Sequence, residues 1–452
     1  MPTRSIVAGS VAAVLIAGLA GCGSSNDNSN QASSPTQPDA GASAAPAAST
    51  APSAAADAAA GDPFLAIRTA AQHMPGSATV LAGGFAKALK LSGDETTDAA
   101  KLRAALTNLF TEHVYLAGIA VATAYTKGAD SDAFKAASTQ VGANATDLET
   151  AVTGLVGDAN GAKFKSAFDA HITDFVNYAV AAKKKDAKGM SAAVTALTAY
   201  AKAVGTFFNS VTGGKLSASA VQQDTMTHIL TLKKAVDDLA AGKTAAYNDL
   251  KLAADHMAMS ADVISKGVAA ATKKTGNVDD KASTLQSELT SKLIGHVYLS
   301  GVAVFTAYTD PKGAKSDAFA AAAKAVQTNS DEITDIVGAA GATAKKNFKA
   351  SWDAHVTDFV NYAVADATGD SAGKSKAAAA LTAYTQAAGT FLASITGNAL
   401  PAAAVTSDLA THVSTLEAAI DAFAKALVSG SSSSSSEMSG MSSASPSSGS
   451  GQ

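Results

Sequence analysis

The 452-residue sequence predicts an all-α protein, a tandem duplication of a six-helix up-and-down bundle with about twelve helices in total. Three observations carry this. The stretch Phe168-Asp169-Ala170-His171-Ile172-Thr173-Asp174-Phe175-Val176-Asn177-Tyr178 returns as Trp352-Asp353-Ala354-His355-Val356-Thr357-Asp358-Phe359-Val360-Asn361-Tyr362. All eight histidines obey the same repeat: His73, His113, His171 and His228 are followed 183, 183, 184 and 184 residues later by His256, His296, His355 and His412. Finally, alanine dominates a composition that is 47% hydrophobic and 16% charged, and alanine is the best helix former.

The N-terminus is expected to be an export signal. Arg4 supplies a positive start, and Ile6 to Leu19 an apolar core too short to span a bilayer. Leu19-Ala20-Gly21-Cys22 resembles the lipobox of bacterial lipoproteins. That resemblance implies cleavage after residue 21, lipidation of the Cys22 thiol, and a protein anchored on the extracytoplasmic face of the cell membrane. Cys22 is the only cysteine, so no disulfide can form within the chain and no thiolate metal site can form in the repeats. Residues 22–61 read as a flexible tether, because Ser, Asn, Ala, Pro and Gly cannot bury enough surface to order it. Residues 429–452 read likewise, as a Ser-rich tail containing Glu437, Met438 and Met441, a methionine pair that could touch copper but is more often only composition.

Between them lie repeat 1, residues 62–242, and repeat 2, residues 243–428. Asp62-Pro63 is a helix start, with Asp as cap and Pro at the first helical position. The helices of repeat 1 are expected at 63–92, 96–127, 131–157, 160–184, 187–212 and 217–241. The breaks fall at clusters such as Ser92-Gly93-Asp94 and Thr212-Gly213-Gly214. Repeat 2 places its helices at 244–274, 279–309, 315–340, 342–367, 372–396 and 401–428. Short connections make sequential helices antiparallel neighbours.

Counting residues from each turn, at 1.5 Å of rise per residue, puts all four histidines of a repeat near mid-height. The two helices without histidine carry Asn144 and Tyr200 at that level, and Asn329 and Tyr384 in repeat 2. A layer of histidines points to a ligand. Neutral imidazole suits Cu, Zn, Fe or Ni, and nearby carboxylates can orient it. Asp174 and Asp358 stand three residues after a histidine, Asp224 and Asp408 four before one, so these are the candidate orienting groups. The pairs His73-Met74 and His256-Met257 hint at copper, although adjacent helical residues diverge by about 100° and would not share one ion. Haem held between two histidines is the runner-up, non-covalently, since Cys-x-x-Cys-His is absent. A layer of purely structural histidines in an envelope scaffold or binding module is the alternative.

Enzyme signatures are missing: no His-Glu-x-x-His, no Glu-x-x-His, no Gly-x-Ser-x-Gly and no phosphate-binding glycine loop. A non-enzymatic protein is expected. Glu112, beside His113, is replaced by Gly295 in the second repeat, so it belongs to no site shared by both. A net charge of −4 without a basic stripe argues against nucleic acid as a partner. The segments Glu112-His113-Val114-Tyr115-Leu116-Ala117-Gly118, Ala254-Asp255-His256-Met257 and Trp352-Asp353-Ala354-His355 resemble an uncharacterised family of secreted bacterial helical proteins, some labelled copper amine oxidase. The label does not suit these residues. Those oxidases make a quinone from Tyr in Asn-Tyr-Asp/Glu, and here Asn177-Tyr178 is followed by Ala179-Val180.

One asymmetry between the repeats is expected. Pro75 and Gly76 follow His73-Met74, whereas Ala258 and Met259 follow His256-Met257. Proline should kink or break the helix there, displacing His73 and making the second site, with ligands among His256, His296, His355 and His412, the tighter. Asp262, standing where repeat 1 has Thr79, adds to that difference.

Overall fold

The computed structural model describes residues 61–429, so the expected signal sequence, Cys22, most of the tether and nearly all of the tail lie outside the described residues. Within them are twelve α-helices and no strand. They are α1 Pro63–Leu89, α2 Asp98–Lys127, α3 Asp132–Val156, α4 Asp158–Lys184, α5 Ala187–Val211 and α6 Ala218–Ala240 in repeat 1. Repeat 2 supplies α7 Ala245–Thr272, α8 Lys281–Thr309, α9 Asp317–Val337, α10 Ala342–Thr368, α11 Ser371–Ile395 and α12 Ala402–Phe423. Single 3₁₀ turns flank α9, and a π turn, Ala424–Ser429, follows α12. Among the described residues no helix is long and apolar enough to cross a membrane.

The helix starts follow from local chemistry. Asp62 accepts from the amides of Phe64 and Leu65, Ser131 from Phe134, Asp186 from Lys188 and Gly189, Asp280 from Ser283, and Ser316 from Phe319. Each such cap satisfies amides that the helix leaves unpaired, worth roughly 1 kcal/mol.

The order in which the helices pack differs from the expected up-and-down succession. α1 does not pair along its length with α2, nor α7 with α8; α1 packs on α8 and α12, and α7 packs on α2 and α6. Each sequence repeat therefore lends its first helix to the other. One six-helix ring is α2 to α7 in succession, and the other is α8 to α12 closed by α1. The packed units are thus not residues 62–242 and 243–428. The continuous ring spans 98–272, and the chain's first helix completes the second ring.

Contacts across the pseudo-twofold axis show how the exchange is held. Ala99 donates its amide to the carbonyl of Thr275, and Ala282 donates to Ser92, each pair the image of the other. Gly93 and Gly276 make this crossing possible. Both have positive φ, 96° and 87°, and a Cβ on either would enter the side chain of Asp280 or Thr97 on the opposite linker. On the axis itself, Tyr115 stacks on Tyr298 with ring centroids 5.6 Å apart. α2 and α8 also pack directly on each other, so one core runs through both rings.

Beside that axis the repeats depart from symmetry. Glu112 accepts from Arg68 Nε of α1 (2.9 Å), the Tyr298 hydroxyl of α8 (3.0 Å) and Asn144 Nδ2 of α3 (2.9 Å). Arg68 also reaches Asp147. In repeat 2 the equivalent of Glu112 is Gly295, and the partner carboxylates lie nearer the surface. Lys251 and Lys292 both bridge Asp255 and Glu332 at 2.6–2.9 Å.

Pro75 does not break α1, which remains helical from Pro63 to Leu89. Proline's cost is local, a lost hydrogen bond and a crowded turn. Met74, Ala78 and Ala82 are buried on either side of it, so packing on α8 and α12 holds the helix through it.

Candidate metal centres

His113, His171 and His228 come from α2, α4 and α6, alternate members of the first ring, and meet at its centre. His296, His355 and His412 do the same from α8, α10 and α12 in the second. In each triad one nitrogen per ring lies within 4.8 Å of the other two. The ring centroids are 5.3 Å (113–171) and 6.1 Å (113–228) apart in the first triad, and 5.3 Å (296–355), 5.6 Å (296–412) and 6.5 Å (355–412) in the second. Three imidazoles on one ion place their nitrogens roughly 3.3–3.6 Å apart. Binding one ion would require the side chains to turn inward by that difference.

Aromatic packing fixes these rings. Tyr200 stacks on His171 and Tyr384 on His355, both at 4.4 Å with nearly parallel planes. Phe168 stands edge-on to His171, and Trp352 to His355. The His171 Nδ1–H donates to the carbonyl of Phe168 at 2.5 Å, which leaves Nε2 as the nitrogen with a lone pair. Other nitrogens have no partner although they are buried: Nδ1 of His228 and His412, and both nitrogens of His296. A buried polar atom without a partner costs about 1–3 kcal/mol, so an array of them calls for an explanation.

All six imidazoles are neutral far below ordinary histidine pH. Burial pushes His113 down to about 4 and His228, His355 and His412 to about 3. It also holds His171 and His296 well below their usual value, and the neighbouring imidazoles add to this.

The fourth histidine of each repeat lies elsewhere. Because α1 and α7 are exchanged, His73 sits in the second ring and His256 in the first, so the expected set of His256 with His296, His355 and His412 does not form. Neither belongs to a triad. His73 Nε2 lies 3.1 Å from both the carbonyl and Oδ1 of Asp408, and that carboxylate raises its pKa. His256 Nε2 lies 3.1 Å from the carbonyl of Asp224 and 3.5 Å from its Oδ1. Asp224 and Asp408 thus orient histidines, but those on the exchanged helix rather than the ones four residues on. Asp174 and Asp358 make no hydrogen bond to any histidine. Asp262 pairs with Arg103 and Lys266, away from both triads. Asn144 and Asn329 spend their amides on the carbonyls of Leu109 and Lys292.

What the exchanged helix brings to each triad is a methionine. Met257 lines the same small cavity, about 50 Å³, as His113, His171 and His228. Met74 lines its counterpart, also about 50 Å³, with His296, His355 and His412. The 100° between adjacent helical residues sends His73 and His256 sideways to an aspartate and turns the methionine inward. The His-Met dipeptides were visible in the sequence. Which member faces the centre was not.

No protein-family model, curated protein or solved structure matches this chain. The histidine geometry therefore carries the functional reading.

Proposed function

We propose that this chain is a lipid-anchored, extracytoplasmic, non-enzymatic copper-binding protein, holding one ion in each histidine triad. The observation that carries it is three neutral, buried imidazoles converging twice, with nitrogens left unpartnered and a methionine on the wall. A structural polar layer would leave those nitrogens without compensation. Three imidazoles bring no negative charge, and burying a dication without one is costly, so a monovalent ion is favoured. A thioether beside imidazole favours Cu(I) over zinc or iron. Rings 5.3–6.5 Å apart around a cavity of about 50 Å³ suit a bare ion rather than a haem macrocycle.

The test is titration of chelator-treated protein with Cu(I), Zn(II) and Fe(II) at neutral pH. Two Cu(I) per chain are expected. Met74→Leu with Met257→Leu should weaken Cu(I) at least tenfold and leave Zn(II) unchanged. An equal effect on both metals would remove the methionines from the site. No binding of any metal would leave the structural layer as the account.

Anchoring rests on the lipobox alone. Cys22→Ala should release the protein from membranes on a carbonate wash, since no described helix can hold it there. Retention of that variant would refute the anchor.

A further inference from the structure

The two rings are copies, so each serves as a control for the other, and their interiors differ beside the triad. In the first ring a cavity of about 450 Å³ opens beside the triad, with His113 and His171 in its wall. Its floor is built from small residues, Ala117, Ala120 and Ala124. The equivalent pocket of the second ring, lined by the matching residues Ser300, Ala303 and Ala307, holds about 60 Å³ and does not reach the histidines. A second chamber of about 320 Å³ adjoins the first cavity, sharing Val121, Tyr125 and Leu232 with it.

Side chains also differ at the adjoining chamber. In the second ring Phe64, Phe305 and Phe423 pack together with centroids 5.7–6.4 Å apart. Their counterparts are Tyr247, Ala122 and Leu239, which line the adjoining chamber instead of filling it. The turn Ala424–Ser429 also packs on α8 and α10 and buries Leu427 at that end. The first ring has no such plug, because its chain turns directly into α7.

Charge differs at the same place. Lys135, Lys183 and Lys184 border the large cavity, and all three are exposed. The second ring has Ala320, Ala367 and Thr368 at these positions. Lys135 pairs with Asp132, and the Lys183 ammonium lies over the Tyr125 ring at 4.9 Å. No acidic residue lines this cavity, and Asp310 lines the adjoining chamber.

From the deep apolar chamber and its lysine rim we infer a second binding site, for a single-chain amphipathic carboxylate. The alkyl chain enters between α2, α3 and α4, and the carboxylate stays at the rim with the lysines. A volume of a few hundred Å³, apolar with a few polar groups at one end, is what such ligands occupy. The site does not depend on copper; the triad forms one part of its wall.

The experiment is calorimetric titration of the whole chain, chelator-treated and copper-loaded, with decanoate and with decanol. One decanoate per chain is expected in both metal states. Lys135→Ala with Lys183→Ala and Lys184→Ala should weaken decanoate at least tenfold and leave decanol unchanged. Ala124→Trp, on a half-buried wall, should weaken both ligands. Its helical circular dichroism and copper stoichiometry report whether that variant is folded, and the lysine variant tests the rim without touching the core. Two decanoates per chain, none, or equal loss of decanol in the lysine variant would overturn the proposal. Binding that requires copper would place the carboxylate on the metal and overturn the rim assignment.

Discussion

Replacing Glu112 with alanine should destabilise the protein by about 3 kcal/mol, at the lower end of the 3–5 kcal/mol typical of a broken buried ion pair. Arg68 is 7% exposed and Glu112 1%. Removing the carboxylate leaves a guanidinium without its main partner in the core, along with the Tyr298 hydroxyl and the Asn144 amide. Asp147 remains as a partner for Arg68, though its side chain is about half exposed, and that keeps the loss at the lower end. The double variant Glu112→Leu with Arg68→Met should recover most of the loss, because a buried pair contributes little net stability once both charges are removed together. Urea midpoints of the wild type, the single and the double variant measure this. A single variant within about 0.5 kcal/mol of wild type would show that the network is not the clamp between α1, α2 and α3 that its geometry implies.

Acid should unfold the metal-free protein in a narrow window below pH 6.5. The sign follows from the triads. Folded, burial holds all six imidazoles well below the usual histidine value, four of them at about 3 to 4. Unfolded, each titrates near about 6.5. As pH falls below that value the unfolded chain binds protons that the folded chain does not, so stability drops with pH. One proton contributes about 1.4 kcal/mol per pH unit, and six together about 8 kcal/mol per unit. That slope would exhaust an ordinary stability of about 5–15 kcal/mol within one to two units. His73 works in the opposite sense: Asp408 raises its pKa, so its contribution is present below about 6.5 and lost as pH rises through its folded value. One such group cannot offset six. Circular dichroism against pH should show a cooperative midpoint between about pH 5 and 6. His171→Phe with His355→Phe should move it to lower pH, and bound copper should do the same by stabilising only the folded state. A helical signal persisting to pH 4, or a midpoint the double variant leaves unchanged, would contradict the buried neutral triads.

Most of the helices were legible because their signals are local. Asp62, Ser131, Asp186, Asp280 and Ser316 cap where a side-chain oxygen follows a break, and the expected boundaries differ from the observed ones by a few residues at most. The level of the histidines was legible too, since rise per residue depends on nothing outside the helix. The ring order His113, Asn144, His171, Tyr200, His228, His256 runs through α2 to α7 at one height. The exchange was not legible. α1 and α7 are homologous, and either could close either ring with the same apolar face. What selects the observed partner is long-range: Glu112 waiting for Arg68 across the axis, and linkers crossing at Gly93 and Gly276.

The sequence by itself determined that the chain is a helical duplication and that every histidine occurs twice at mid-helix, because periodicity, capping and repeat offset are properties of neighbouring residues. Only the tertiary structure decided which histidines meet. A rotation of about 100° along one helix turns Met74 rather than His73 toward the centre. The choice of ring sends His256 to Asp224 in the first ring and leaves the second triad to His296, His355 and His412. The unequal interiors were also settled there. Ala122 in place of Phe305 means nothing until the packing shows Phe305 against Phe64 and Phe423 in one ring and Ala122 on the wall of an open chamber in the other.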